Sequence, residues 1–429
     1  MKIGIGKKKL MEILEKGSVA AISDDALTDT SNLSLLIKSI RITADSNLTI
    51  ESGTSLMAVK YSVPVSEENG IVVKEAGQIL IPAKELINWI KVQGEDSTIS
   101  ISLQKLQTPE IINTLEDMSD DKNIDHDKFV IRKIGVVKIT SKNVSKTAGK
   151  WELDCYDPSQ FASVDFKQKS EKNFELNGKR LIDTIGRVLF SSLEQDYEHI
   201  LDSISIQTYN ENVYFITTDM HRCAVCMIPK EDISNLKSTN PLLVPAKLLD
   251  SASKIIDPEN KISFSYDNKI GRVFISQPNL NIRLACPDKE NIGKFPGIDV
   301  LINKKYDALA TIPKDLMNEL LINAAVVNNS SALFSFSKEG LLTVKAISES
   351  DKYKPSIKQA QIKNVEKDAR LIWCVSHLIS GLKIIKSDEI QVSIPDNMMS
   401  VKITGKDDEN FVYFTAVIKN PKYDVEVKE

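Results

Sequence analysis

The chain has 429 residues, of which 42% are hydrophobic and 27% charged, and its formal net charge is −4. Such a length implies roughly three domains of ~100–150 residues, and the composition excludes a disordered chain. The slight acidity excludes a protein that grips nucleic acid over its whole surface, but it leaves room for a local basic lining.

The start, Met1 to Lys9, is basic but lacks the apolar stretch of a signal peptide. No apolar run approaches the ~18 residues needed to span a bilayer, so a cytoplasmic location is expected. Residues 7–16 predict a first helix. Ile40-Arg41-Ile42 alternates as a half-buried strand should. Ile81-Pro82-Ala83-Lys84-Glu85-Leu86 ends a strand and opens a helix over 83–92. Residues 106–149 begin acidic and polar (Glu116, Asp117, Asp120, Asp121, Asp125). They continue through a strand-like Val136-Val137-Lys138-Ile139 to Lys142, Lys146 and Lys150, which suggests a surface insertion with a solvated hairpin. Leu181, Ile182, Ile185, Val188 and Leu189 stand at helical spacing within a helix expected over 179–194. Ile204-Ser205-Ile206 repeats the strand, and Val244-Pro245-Ala246-Lys247-Leu248-Leu249 repeats the strand–helix junction, with a helix over 246–256. A fifth helix is expected over 314–327. Phe334-Ser335-Phe336 and Val375-Ser376-His377-Leu378-Ile379 form a faded third pair, with a helix over 377–386.

From strand to junction, the spacings are 42, 41 and 42 residues. Three nearly equal intervals indicate a repeat of whole domains rather than a solenoid of short units. We place the domains at 1–167, with the insertion near 106–149, 168–303 and 304–429. Each has two helices among many strands, which is an α+β class.

Little in the chain suggests catalysis. Cys223-Ala224-Val225-Cys226 is a lone CxxC without a second ligand pair, and strand alternation points its two thiols to opposite faces. His221 with Cys223 could be a thiol–base pair, but the spacing suggests no third orienting group. Gly4-Ile5-Gly6-Lys7 is not a phosphate-binding loop. His126, His199 and His377 are scattered. The five cysteines, Cys155, Cys223, Cys226, Cys286 and Cys374, fit reduced thiols better than a disulfide framework. Neither a metal, a cofactor nor an enzymatic activity is expected.

Thr218-Asp219-Met220-His221-Arg222-Cys223-Ala224-Val225 resembles the Thr-Asp-Gly-His-Arg-Leu-Ala-Val signature of the bacterial DNA polymerase III beta subunit, the beta sliding clamp family. Gln195-Asp196 through Arg222 aligns with that family without a gap. The Pro-Ala-Lys junction, Phe295-Pro296 and Ala324-Ala325-Val326-Val327-Asn328-Asn329 match as well. The resemblance spans essentially the whole chain, and the order and spacing of the motifs carry it. Met220 stands for a glycine, Cys223 for a leucine, and Val417-Ile418-Lys419-Asn420 replaces the usual end. These departures mark a divergent member, from a bacterial or a viral genome.

The resemblance implies three clamp domains with antiparallel sheets, closing head to tail as a homodimeric ring around double-stranded DNA. The helices would line the hole. The six expected helices together carry +6, which leaves −10 for the remainder. Lys and Arg attract phosphates regardless of base sequence, as sliding requires. The candidate DNA contacts are Lys7, Lys8, Lys9, Lys84, Lys91, Lys179, Arg180, Arg187, Gln195, Lys247, Lys254, Lys383 and Lys386. Any one of these cations could be a merely solvated helix residue. The family's basic loop in the first domain falls on Asp24 to Asn32, which is acidic and neutral here. The resemblance also implies that short peptides from a polymerase and a clamp loader bind in an apolar pocket. The matching positions are Leu201, Thr218, Met220, His221, Arg222, Cys223, Pro296, Val300 and Leu301, with Val417 added from the C-terminal end. Leu201, Pro296 and Leu301 could instead be core. Val326 and Val327 match the dimer interface, with ordinary core as the alternative. The expected function is a sliding clamp, a non-catalytic processivity factor. The competing reading is a clamp-fold interaction protein that binds partner peptides without encircling DNA.

Overall fold

The computed structural model describes residues 1–23, 26, 34–113, 130–143, 147–162, 164–166, 172–193, 200–236, 242–267, 269–287, 295–297, 304–347, 355–395 and 399–419. Gln195, Val300, Leu301, the acidic residues 116–125, His126, His199 and nearly all of 24–32 lie outside the described residues. The chain forms two compact units, one of residues 1–178 with 251–286 and one of 179–250 with 287–429.

The architecture repeats one device six times: a strand that runs straight into a helix. The six helices so formed are α1 (Lys7–Gly17), α2 (Ala83–Lys91), α3 (Gly178–Val188), α4 (Ala246–Ser253), α5 (Lys314–Val327) and α6 (Val375–Ile384); a short turn of helix at Ser34–Ile37 stands apart from them. Pro82, Pro245 and Pro313 each close a strand and stand directly before a helix. Proline suits that position because it cannot donate to a continuing ladder and its fixed φ leads into the first turn. Leu10, Ile13 and Leu14 of α1, and Leu86, Ile87 and Ile90 of α2, are buried at helical spacing. Strands and helices thus segregate into layers, as an α+β chain with antiparallel sheets requires.

The repeat spacing has a simple cause, since the two repeated elements are neighbours in a sheet. Ile40 pairs with Ile81, and Ile204 pairs with Val244, both antiparallel. In the third copy Ala332 pairs with Trp373, and the helix begins at Val375 behind Cys374. The counterparts of Ile40 and Pro82 are therefore Ala332 and Cys374, not Phe334 and Ser376. Both sequence assignments were two residues late, which preserved their spacing. A slip of two leaves every strand side chain on its proper face, so alternation alone cannot detect it. Helix α3 also ends earlier than expected, at Val188, and a 3-10 turn over Leu189–Ser191 follows.

In the first unit thirteen strands form one antiparallel sheet. Its longest hairpin joins Thr98–Asn113 to Val130–Lys142 and covers part of the expected insertion. In the second unit an eight-stranded sheet runs from Leu242–Pro245 to Asp307–Pro313, and a four-stranded sheet ends at Ile357–Gln361. Helix α6 lies close on its sheet: a Cβ at Gly381 would stand 2.5 Å from the Tyr413 ring.

Candidate functional site

The signature segment builds a tight turn between two paired strands, Asn212–Thr218 and Arg222–Ile228. The Asp219 carboxylate accepts from the backbone N–H groups of His221 and Arg222, each at 2.9 Å, and from Arg222 Nε at 2.8 Å. Thr218 Oγ1 accepts from Met220 N at 3.1 Å and donates to the Arg222 carbonyl at 2.7 Å. These bonds hold Met220 at φ +74°, in left-handed space. Glycine reaches that region without cost, which accounts for the family's glycine here. Methionine reaches it under strain.

The turn borders a cleft of about 410 Å³. Thr218, Met220, His221, Arg222, Cys223 and Pro296 all line it, as the sequence suggested. Ile216, Phe295, Gly297, Met399, Ser400, Phe414, Thr415 and Ala416 complete the lining and were not anticipated as pocket residues. The strand Asp408–Ala416 enters because Arg222 pairs with Thr415 and Cys223 with Phe414, a tertiary pairing that no local spacing reveals. Phe295 was legible as part of Phe295-Pro296. Leu201 is absent from the lining. It is buried beneath it, in a cluster with Ile200, Leu243 and Phe295. Val417 sits behind Met399, donating its N–H to the Met399 carbonyl at 3.2 Å. Met220 and Met399 are exposed, at 66% and 51%.

The floor is dry. Burial pushes the Cys223 thiol up to about 12, with a smaller contribution from Asp219, so it is an apolar wall rather than a nucleophile. Cys226 faces the other way, where Thr184 and Arg187 bear on it. Cys374 differs. Burial would raise its pKa, but hydrogen bonds from the His377 and Ser376 side chains lower it to about 7. Among the described residues, no group of three or more His, Cys, Asp or Glu could hold a metal ion.

The expected DNA-contacting cations divide into three groups. Lys8, Lys84, Lys91, Lys179, Lys247, Lys254 and Lys383 are exposed. Lys9 pairs with Glu12 at 3.0 Å, Arg180 with Asp232 at 3.2 Å and Lys386 with Asp183 at 3.5 Å. Two must be withdrawn. Lys7 is buried, and its Nζ donates to the carbonyls of Lys91 and Gln93 at 3.1 and 2.6 Å and to Glu95 at 2.7 Å. It neutralises the C-terminal end of α2 from the first residue of α1. Lys314 does the same in the second unit, donating to the Ile385 carbonyl at 3.0 Å just beyond α6. Arg187 is buried against Asp408, with its guanidinium 4.4 Å from the Phe411 ring centre. Of the expected interface residues, Val326 is 84% exposed and Val327 half-buried. Ile322, 62% exposed and one turn earlier, extends the same face.

Residues 175–284 match the family described as DNA polymerase III beta subunit, central domain. The chain is 22% identical over 269 residues to the beta sliding clamp of Escherichia coli, covering 62% of this chain and 70% of that one. It is 24% identical over 295 residues to the beta sliding clamp of Mycoplasma capricolum, covering 66% and 74%. Residues 175–284 thus resemble a beta-subunit central domain, and about two thirds of the chain is similar to bacterial beta sliding clamps. The beta-clamp fold extends well beyond the matched central domain. The crystal structure of the beta subunit from Pseudomonas aeruginosa matches with a TM-score of 0.76 at 16% identity, over 98% of this chain and 100% of that one. A sliding clamp from the same organism bound to griselimycin also matches at 0.76, with the same coverage. No helix among the described residues is long and apolar enough to cross a membrane.

Proposed function

We propose that this protein is a DNA sliding clamp, a non-catalytic processivity factor that encircles duplex DNA and tethers a polymerase to it. The observation that carries the reading is a beta-clamp fold running through 98% of the chain. Exposed helix lysines (Lys8, Lys84, Lys91, Lys179, Lys383) supply sequence-independent attraction for phosphates. Two sheet edges support head-to-tail closure by a second copy. Ile71–Glu75 ends the thirteen-stranded sheet with Val72 exposed, and Ile357–Gln361 ends the four-stranded sheet with Ile357 exposed. Open strand edges present unpaired backbone groups that invite pairing with another chain. The cleft around Met220 and Phe414 suits short apolar peptides from a polymerase or loader, since a fully buried Leu or Phe contributes about 1.5–3 kcal/mol.

The deciding experiment loads the protein onto nicked circular DNA and then linearises it. Retention on circles and loss from linear ends is expected. Equal retention on both would leave only the reading as an interaction protein that does not encircle DNA. Charge reversal at Lys8, Lys84, Lys179 and Lys383 should shorten retention and flatten its salt dependence without altering sequence preference. Replacing Ile322 and Val326 with Asp should shift sedimentation toward monomer, and an unchanged dimer at low concentration would remove this face from the interface.

A further inference from the structure

The first unit repeats the cleft geometry of the second. Gly53 to Met57 connects two paired strands with the same number of residues as Thr218 to Arg222. Thr54 Oγ1 accepts from Leu56 N and Met57 N at 3.2 and 3.1 Å, as Asp219 Oδ1 accepts from His221 N and Arg222 N. Thr54 N donates to the Met57 carbonyl, as Asp219 N does to that of Arg222. The neighbouring strand also corresponds, because Leu284 pairs with Met57 and Arg283 with Ala58 where Thr415 pairs with Arg222 and Phe414 with Cys223. Beneath each turn lies a matching apolar cluster: Leu80, Phe161 and Leu36 in one, Leu243, Phe295 and Ile200 in the other. A cleft of about 300 Å³ opens at this place, with Leu36, Ile37, Phe161 and Val164 in its wall.

One substitution changes its chemistry: Arg283 stands where the second cleft has Phe414. Arg283 lines the cleft, its Nε is shielded from water without a hydrogen-bond partner, and no carboxylate pairs with it among the described residues. Desolvation first, and then repulsion from Arg272, lower its pKa. An Nε shielded from water without a partner is costly, and an anion in the cleft would complete the half-buried guanidinium.

We propose that this first-unit cleft is a second docking site, for an acidic linear peptide that seats an apolar side chain against Leu36, Ile37 and Phe161 and pairs a carboxylate with Arg283. The peptide class follows from the reading of the second-unit cleft as a peptide site, and the carboxylate follows from Arg283 itself.

The test is calorimetric titration of the full chain with a ten-residue probe peptide containing a Leu-Phe pair flanked by two Asp residues. Two equivalents per chain are expected. Arg283→Gln should remove one or weaken it about tenfold or more, and Arg283→Lys should retain part of it. A probe with Asn in place of Asp should fill only the second-unit cleft. Met220→Asp combined with Met399→Asp should remove the other equivalent. A thermal melt of each variant confirms that the fold is intact. Two equivalents that survive Arg283→Gln, a single equivalent that does so, or no binding at millimolar probe would overturn the proposal. Acetate or phosphate alone binding as tightly as the probe would also overturn it, by reducing the site to a simple anion hole. A single equivalent that Arg283→Gln removes would support the proposal and count instead against the second-unit cleft.

Discussion

In the second unit the turn at Asp219 holds a methionine at positive φ over walls of Phe295 and Phe414, whereas in the first unit the turn at Thr54 has no positive-φ residue and its cleft contains Arg283. The hydrogen-bond frame is the same. One short polar side chain accepts from two successive N–H groups in each case, an arrangement that Asp and Thr both make readily. The walls above that frame are free to differ. What separates the two clefts is therefore a few side chains on a shared backbone scaffold, and each difference can be tested alone.

The largest effect is expected where the second cleft is anchored. Its strand, Asp408–Ala416, begins at the carboxylate that pairs with buried Arg187 and also accepts from Lys386 N at 2.9 Å. The corresponding strand of the first unit begins at Leu280, with no buried ion pair described there. Asp408→Ala leaves an uncompensated buried cation and should cost about 3–5 kcal/mol. Denaturant unfolding should show the second unit losing stability while the first keeps its own, and a uniform or negligible loss would erase the contrast. Next in size is Arg283→Leu. Removing the water-shielded, unpartnered Nε of this half-buried arginine should stabilise the first unit by about 1 kcal/mol, measured as a raised melting temperature without probe peptide. Destabilisation would mean that the arginine has a structural partner. The smallest effect is Met220→Gly, which relieves a left-handed side chain and should gain roughly 0.5–1 kcal/mol. The same change should widen the second cleft and strengthen binding of the usual family peptides. A loss of stability would show that the Met220 side chain is held by packing.

Much of this was legible in the chain, for identifiable reasons. Proline and alanine mark the strand–helix junctions at Pro82 and Pro245, and those helices begin where the sequence places them. At Cys374 the proline is gone, and alternation tolerated the two-residue slip. Half of the cleft was readable because Thr218 to Cys223 is one continuous segment. The other half, Met399 to Ala416, arrives through pairing between distant strands, which leaves no periodic trace. Lysine counts on helices were readable too, but not their partners. Nothing near Lys7 in sequence announces Gln93 and Glu95, and nothing near Arg187 announces Asp408.

The burial of Lys7 has a practical consequence for chemical footprinting. With 7% of its side chain exposed and its amine directed to three oxygens, Lys7 should resist amine-acylating reagents that modify its neighbour Lys8. A peptide spanning both residues would then carry its own internal reference. Protection of Lys8 on adding DNA would report contact, and any labelling of Lys7 would report that the joint between α1 and α2 had opened.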